Sequence, residues 1–203
     1  MRDGFWSVLS PSPTAEARLA ITITLYDYFD REVARGALPS TFAIPVLCVL
    51  HLPDDRHSQL AGVLQRRLHR PVCEARDKER ISGGQIYVAG PGYHLSVERD
   101  LTLSLSQEEP VHFSRPAIDF LFISAADAYG DSLLGVLLTG ANEDGARGLA
   151  YIKNNGGRTI VQDPRDAQVA LMPEAALALH QPDHILTLSG IGQLLATLEY
   201  SAC

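Results

Sequence analysis

The chain has 203 residues, 46% of them hydrophobic and 20% charged, which is typical of a globular domain and unlike a disordered chain. Its formal net charge of −7 argues against nucleic acid and anionic membrane surfaces as partners, because both attract clustered Lys and Arg. No apolar run reaches the length of a membrane span and the amino terminus lacks the pattern of a signal peptide, so we expect a cytoplasmic protein without direct membrane insertion.

Neither the cysteines nor five of the histidines predict a metal site. The three cysteines, Cys48, Cys73 and Cys203, lack the spacing of metal ligands and are odd in number, which favours free thiols in a reducing compartment. The histidines at positions 57, 69, 112, 180 and 184 likewise show no ligand spacing. We therefore expect neither a metal nor any other cofactor.

Apolar patterns in the first half of the chain predict strands and a helix. A buried strand is expected over residues 45–50, and the amphipathic spacing of 57–69 predicts a helix. Another strand is expected over 85–89. An antiparallel hairpin follows, with its two strands over 93–97 and 101–105.

The second half of the chain continues the alternation of helices and strands. The expected elements are a helix over 116–129, a strand over 133–138, a helix over 146–154, a strand over 159–162, a helix over 173–179 and a last strand over 184–188. Such an alternation predicts a doubly wound, mainly parallel sheet with helices on both faces. We therefore predict an α/β fold in three layers, α/β/α, with an inserted antiparallel β-hairpin.

The loop after the strand at 133–138 carries the first candidate for chemistry. It reads TGANEDG, and open α/β sheets hold their functional groups in loops beyond the carboxyl ends of the strands. Asp144 is placed there to orient a catalytic histidine, and Gly140 and Gly145 would let a ligand approach the backbone closely. The alternative is that Asp144 caps the next helix and the glycines only form the turn.

His51 is the candidate partner of Asp144. It follows the strand at 45–50, and the two side chains can meet at one edge of the sheet although 93 residues separate them (144 − 51). A His–Asp pair indicates hydrolysis, since the carboxylate fixes the imidazole tautomer and the imidazole activates a hydroxyl nucleophile. The alternative is a hydrogen-bonded loop histidine without a catalytic role.

Five stretches of the sequence, in matching order, resemble one known family. They are VLHLPDD (49–55), GGQIYVAGPGYHL (83–95), FSRPAIDFLFISAADAYG (113–130), GVLLTGANEDGARGL (135–149) and VQDPRDAQVALMPEAAL (161–177). From about residue 38 onward the chain resembles the catalytic domain of the chemotaxis receptor methylesterases (CheB), of the stand-alone type without a receiver domain. We expect a single domain of this type over 1–203, with a divergent amino-terminal region over 1–37.

The resemblance implies a fold, an activity and a partner. The family consists of α/β hydrolases that remove methyl groups from glutamyl methyl esters on chemoreceptors and often deamidate receptor glutamines. By the same resemblance, His51 and Asp144 occupy two triad positions, and Gly140, Ala141 and Asn142 lie on the oxyanion side of the site. Helices of methyl-accepting chemotaxis receptors are the implied partner.

Two further positions match the surroundings of the family's active site. His94 falls in a loop that faces the active site and would shape the pocket, with capping of a strand as the alternative. Arg115 falls in a stretch that lines the substrate groove. It would steer an acidic receptor helix, or else pair with Asp119 one helical turn away.

The nucleophile is the point at which the sequence departs from the family pattern. The family's serine stands in a Gly-x-Ser-x-Gly-Gly turn after the first strand, and no such string occurs here. If the first strand is 5–9, Ser12 takes the nucleophile position, although Ser12 followed by Pro13 is also a good helix cap. If the first strand is 19–25, the position falls near Thr24.

A third outcome is that the chain has no working nucleophile. The leading prediction is a protein-glutamate methylesterase with Ser12, His51 and Asp144 as its triad. The alternative is a catalytically inactive binding module of the same fold. A phosphate-binding enzyme is disfavoured, because the loop at Gly140 lacks the Lys and Ser/Thr of a P-loop.

Overall fold

The computed structural model describes the backbone of residues 20–24, together with residues 42–51 and 60–198. In these ranges the strands are β1 Ala20–Thr24, β2 Val46–Val49, β3 Val72–Glu74, β4 Ile86–Val88, β5 His94–Val97, β6 Leu103–Ser106, β7 Leu133–Leu137, β8 Arg158–Gln162 and β9 His184–Leu186. Seven of them form a parallel sheet in the order β3-β4-β2-β1-β7-β8-β9, and β5 and β6 form an antiparallel hairpin.

Helices cover both faces of this sheet. They are α1 Leu60–Leu68, α2 Ile118–Tyr129, α3 Ala146–Asn154, α4 Leu171–Leu179 and α5 Leu188–Thr197. One core lies between the sheet and α2, α3 and α4, and the second lies between the sheet and α1 and α5. The predicted three-layer α/β/α fold with an inserted hairpin is confirmed. Across the described ranges, no helix has the length and hydropathy needed to cross a membrane.

Strand β2 shows why the central strands have nearly continuous apolar sequences. Leu47 and Val49 face the core that contains α2, whereas Val46 and Cys48 face the core that contains α5. All four are buried, because the sheet is covered on both faces. Burial raises the pKa of the Cys48 thiol, and Cys48 and Cys73, the cysteines of the described part, are both free.

Strand β1 lies at the centre of the sheet. It runs parallel to β2 on one side, with Ile21 opposite Val46, and parallel to β7 on the other, with Ile21 opposite Leu134. This confirms the strand expected over 19–25. The alternative first strand over 5–9, with Ser12 after it, lies outside the described residues.

The differences from the predicted elements have local causes. The helix expected from residue 116 begins at Ile118, and the strand expected over 184–188 ends at Leu186. That strand is shorter because the Thr187 hydroxyl caps α5 by accepting a hydrogen bond from the Gly190 N–H at 3.2 Å. No sequence pattern predicts α5 or β3. Glycines interrupt the apolar period of α5, and β3 is only three residues long.

The hairpin of β5 and β6 does not extend the main sheet but packs on α2. Leu95, Val97 and Leu103 of the hairpin share a core with Leu121 and Phe122 of α2. This packing brings the start of β5 against the start of α2, which is the end of the helix nearest the candidate site.

Candidate active site

The structure brings His51 and Asp144 together at the carboxyl edge of the sheet. Each follows a strand that is a neighbour of β1, and the His51 Nε2 lies 2.7 Å from the Asp144 Oδ2. The Asp144 side chain is fully buried, whereas that of His51 is 25% exposed. The pair therefore has a buried carboxylate behind an imidazole that substrate can reach.

Asp144 also holds the amino terminus of α2. Its Oδ2 accepts a hydrogen bond from the Ile118 N–H at 2.7 Å, and its Oδ1 accepts one from the Asp119 N–H at 3.0 Å. Ala117, at the N-cap position, supplies no side-chain hydrogen bond, so Asp144 acts as the cap of α2 from a distance in sequence. The helix dipole and the two N–H groups stabilise the buried negative charge.

The alternative that Asp144 caps the following helix is wrong. Helix α3 has Gly145 at its N-cap, which supplies no side chain, and the Asp144 carboxylate points to α2 instead. The turn before it is shaped by Asn142, whose Oδ1 accepts a hydrogen bond from the Asp144 N–H at 3.1 Å. The loop thus delivers one carboxylate to both α2 and His51.

Gly140 and Gly145 were expected to leave room for a ligand. The space beside them is instead filled by the protein's own side chains. A Cβ on Gly145 would lie 2.6 Å from the Ile118 Cγ2 and 2.7 Å from a Leu137 methyl group, and a Cβ on Gly140 would overlap the Met172 side chain. Gly145 also has a φ of +89°, in the left-handed region that favours glycine. Both positions are therefore fixed by contacts inside the molecule.

The expected oxyanion loop has one backbone donor that is already used. The Gly140 N–H donates to the Val169 carbonyl at 3.2 Å, and the Met172 N–H donates to the Gly140 carbonyl at 3.1 Å. The N–H groups of Ala141 and Asn142 have no hydrogen-bond acceptor among the described residues. Within the described part of the chain, these two groups are therefore unused by the fold.

A buried amide that the sequence analysis missed supports this loop. Gln162, at the end of β8, accepts a hydrogen bond from the Thr139 N–H at 2.9 Å and donates to the Asp166 carboxylate at 2.9 Å. The Thr139 hydroxyl in turn donates to the Val169 carbonyl at 3.1 Å. A polar residue at the end of an apolar strand, in the sequence TIVQ, is the signal that could have identified Gln162.

His94 is a buried positioning residue, not part of an exposed pocket wall. Its Nδ1 accepts a hydrogen bond from the Ala117 N–H at 3.1 Å, so its Nε2 carries the proton and donates to the Glu109 carbonyl at 3.1 Å. Its ring stacks on Phe120 with the ring centroids 3.9 Å apart. His94 therefore holds Ala117, which directly precedes Ile118 and Asp119, the two residues whose N–H groups donate to Asp144.

Arg115 binds backbone carbonyls in the described residues, and its expected role in steering a receptor helix stays a prediction. Its guanidinium donates to the carbonyls of Gln107 and Glu108, at 3.3 and 3.2 Å, and so ties down the segment that follows the hairpin. The expected pairing with Asp119 is wrong, because the Asp119 carboxylate is buried under α3 and accepts a hydrogen bond from the Gly148 N–H at 2.7 Å. Burial raises the pKa of Asp119.

One more contact joins the site loop to the segment before α2. The His112 Nδ1 lies 3.5 Å from a Glu143 carboxylate oxygen, so residues 111–114 rest against the loop that carries Asp144. Neither residue was expected at the site, and no spacing in the sequence connects them.

The arrangement around Asp144 sets the proton chemistry of His51. The Asp144 carboxylate accepts all its hydrogen bonds, so the His51 Nε2 carries a proton and donates it to Asp144. The Nδ1 is then the basic nitrogen, able to take a proton from a hydroxyl group. Acyl-transfer sites use a histidine and a carboxylate in such an arrangement.

Comparisons with known proteins show the family to which the chain belongs. The sequence matches a family model described as CheB methylesterase over residues 32–195. A putative protein-glutamate methylesterase/protein-glutamine glutaminase from Leptospira interrogans is 45% identical over 162 residues, which are 80% of this chain and 84% of that protein. Protein-glutamate methylesterase/protein-glutamine glutaminase 1 from Rhodospirillum rubrum is 38% identical over 163 residues, which are 79% of this chain and 41% of the relative.

A solved structure gives the same result for the fold. The CheB methylesterase catalytic domain of Thermotoga maritima superimposes with a TM-score of 0.81 at 26% sequence identity, covering 91% of this chain and 100% of that one. The family match spans both His51 and Asp144. The chain therefore belongs to the CheB methylesterase family.

Proposed function

We propose that this chain is a protein-glutamate methylesterase that hydrolyses glutamyl methyl esters on chemoreceptors in the cytoplasm. The observation that carries the proposal is the 2.7 Å hydrogen bond between the accessible His51 and the buried Asp144. The names of the Leptospira interrogans and Rhodospirillum rubrum relatives support this reaction class and add glutamine deamidation as a second activity.

In the proposed mechanism His51 is the general base and Asp144 orients it. A hydroxyl group attacks the ester carbonyl while the His51 Nδ1 takes its proton, and the N–H groups of Ala141 and Asn142 stabilise the oxyanion. The ester C–O bond then breaks, and His51 gives the proton to the departing methoxide oxygen, which leaves as methanol. Water hydrolyses the acyl-enzyme in the same way, so the reaction needs no cofactor. A glutamine substrate releases ammonia instead of methanol.

The hydroxyl that acts as nucleophile is proposed from two candidates, Ser12 and Thr24. Thr24 ends β1, the strand that lies between the strands leading to His51 and Asp144. Thr24 therefore lies at the carboxyl edge between these two strands, which supports the alignment with Thr24 near the nucleophile position. Ser12 requires the first strand to be 5–9 instead.

The inactive binding module has no observation in its favour beyond the missing glycine string. The buried pair and the free backbone donors are the parts that an esterase needs and that a binding module does not. A direct test of acylation separates the two functions.

The test is reaction with a fluorophosphonate probe, followed by location of the label by peptide mass spectrometry. We expect one labelled hydroxyl, at Ser12 or Thr24, and its loss in the corresponding Ala variant. Asp144→Asn should lose roughly 10⁴-fold in methanol release from a methyl-esterified chemoreceptor fragment, because the imidazole loses its orienting carboxylate.

The control is an active relative labelled in parallel, and circular dichroism of each variant. No labelling and no methanol release by the folded protein, while the relative reacts, would refute the proposed activity and leave the binding module. Labelling that persists in Asp144→Asn and His51→Ala would refute the roles given to this pair.

A further inference from the structure

Four large apolar side chains are exposed in the segments that follow strands at the carboxyl edge of the sheet, around the site. We call Tyr93, Phe113, Val169 and Leu171 the apolar rim; they are between 41% and 105% exposed. Exposed apolar side chains scattered singly are ordinary, but a group that surrounds one site marks a surface for another molecule.

The sheet order places the apolar rim on both sides of the His51–Asp144 pair. Tyr93 lies on the loop after β4, whereas Val169 and Leu171 follow β8. In the order β4-β2-β1-β7-β8, the strands that lead to His51 and Asp144 lie between these two loops. A protein surface that reaches His51 therefore covers the apolar rim as well.

Phe113 is the most exposed member and is held in place by its surroundings. The N–H of Val111 donates to the carbonyl of Ser114 at 3.1 Å, and the N–H of Ser114 donates to the carbonyl of Val111 at 2.8 Å. Between them, His112 and Phe113 have φ values of +48° and +62°, which are rare for side chains of this size. The contact of His112 with Glu143 fixes this turn to the site loop.

This geometry keeps an aromatic ring in solvent at the cost of an unfavourable backbone conformation. Strained positions of this kind persist where the surrounding structure enforces them, and they concentrate at functional sites. Aromatic rings are also the side chains that contribute most to protein interfaces.

We propose that the apolar rim is the docking surface for a helix of the substrate protein, with Phe113 packed on an apolar side chain next to the reacting glutamyl ester. On a helix, the neighbours of the ester lie three and four residues away in both directions, so side chains at those positions would meet the apolar rim on both sides of the site. The inference rests on the proposed methylesterase activity and adds that Phe113 selects a protein substrate over a small ester.

The test compares two substrates. One is a purified chemoreceptor cytoplasmic fragment carrying radiolabelled methyl esters, and the other is p-nitrophenyl acetate. In Phe113→Ala we expect the ratio of the two kcat/KM values, fragment over small ester, to fall about tenfold, mainly through KM for the fragment. Phe113→Trp should restore most of the ratio, and Leu179→Ala, which truncates an exposed apolar side chain at the far end of α4, should leave it unchanged.

An unchanged ratio in Phe113→Ala, or the same fall in Leu179→Ala, would overturn the proposal. Failure of the proposed function gives a different result, since the unmodified protein then hydrolyses neither ester. In that case the dissociation constant of the fragment decides: about a tenfold weakening in Phe113→Ala supports the docking surface, and equal binding by both proteins refutes it.

Discussion

Asp144 satisfies two structural needs with one side chain. A fully buried carboxylate is costly unless it is hydrogen-bonded, and this one accepts bonds from the Ile118 N–H, the Asp119 N–H and the His51 ring. The two backbone bonds hold the carboxylate in place whether or not His51 changes its protonation state. The histidine can therefore exchange a proton during the reaction against a rigid partner.

Gly145 allows that carboxylate to reach α2, and its replacement tests how tightly the loop is packed. Gly145→Ala forces a side chain into left-handed backbone and brings a Cβ within 2.7 Å of both Ile118 and Leu137. We expect the free energy of unfolding in urea to fall by about 3 kcal/mol. Methylesterase activity should fall as well, because Ile118 donates to Asp144.

Gly92→Ala is the matched control for this prediction. Gly92 also has a positive φ, +78°, but nothing lies within 4 Å of where its Cβ would be. Gly92→Ala should lower the free energy of unfolding by only about 1 kcal/mol, which is the effect of the left-handed backbone conformation alone. Equal losses in the two variants would contradict the packing argument.

Single residues were predicted well where their position followed from the sheet. His51 and Asp144 each come directly after a buried strand, and the rule for parallel sheets places both at one edge. The contacts of His94 and Arg115 could not be predicted, because they depend on how the hairpin lies over α2. The site roles of all four residues remain predictions until activity is measured.

At the scale of elements, the start of α2 is the structural centre of the site. The helix has no capping side chain of its own; Asp144 accepts from its first N–H groups and His94 from the N–H of Ala117 just before them. Sequence patterns predict this helix two residues too early, since Pro116 suits a first turn. The cap that decides the boundary comes from a loop 26 residues away, which local sequence does not show.

Asp119 in the first turn of α2 predicts a pH dependence of stability. Burial is the main cause that raises its pKa, so the folded state binds this proton more tightly than the unfolded state. Stability is then lost as the pH rises from about 4 through the pKa of the folded state, and the charged form costs stability at neutral pH. Asp119→Asn removes this charge and keeps an oxygen to accept from the Gly148 N–H.

We therefore expect Asp119→Asn to be more stable than the unmodified protein at pH 7 and to lose this advantage as the pH falls towards 4. Urea unfolding at several pH values measures the difference. Asp127→Asn, which changes an exposed carboxyl of the same helix, should show no such pH-dependent gain. A constant difference between Asp119→Asn and the unmodified protein at every pH would contradict the prediction.

At the scale of the whole molecule, the family match and the sheet have different boundaries. The match begins at residue 32, whereas β1, at the centre of the sheet, ends at Thr24. The residues before the match nevertheless supply the strand that joins β2 to β7. The sequence did not show this, because the alternation of Ile and Thr over 19–25 competed with another short apolar run, at 5–9, for the position of the first strand.

Removal of the residues before the family match tests whether they belong to the folding unit. A fragment of residues 32–203 keeps everything that the family model matches but leaves β2 and β7 without the strand between them, exposing two rows of unpaired backbone groups inside the sheet. We expect this fragment to show no cooperative unfolding in urea and no esterase activity, while a fragment of residues 18–203, which retains β1, unfolds cooperatively. If 32–203 unfolds as cooperatively as the full chain, β2 and β7 must pair without β1. The His51–Asp144 site, whose two halves come from those strands, would then be built on a six-stranded sheet.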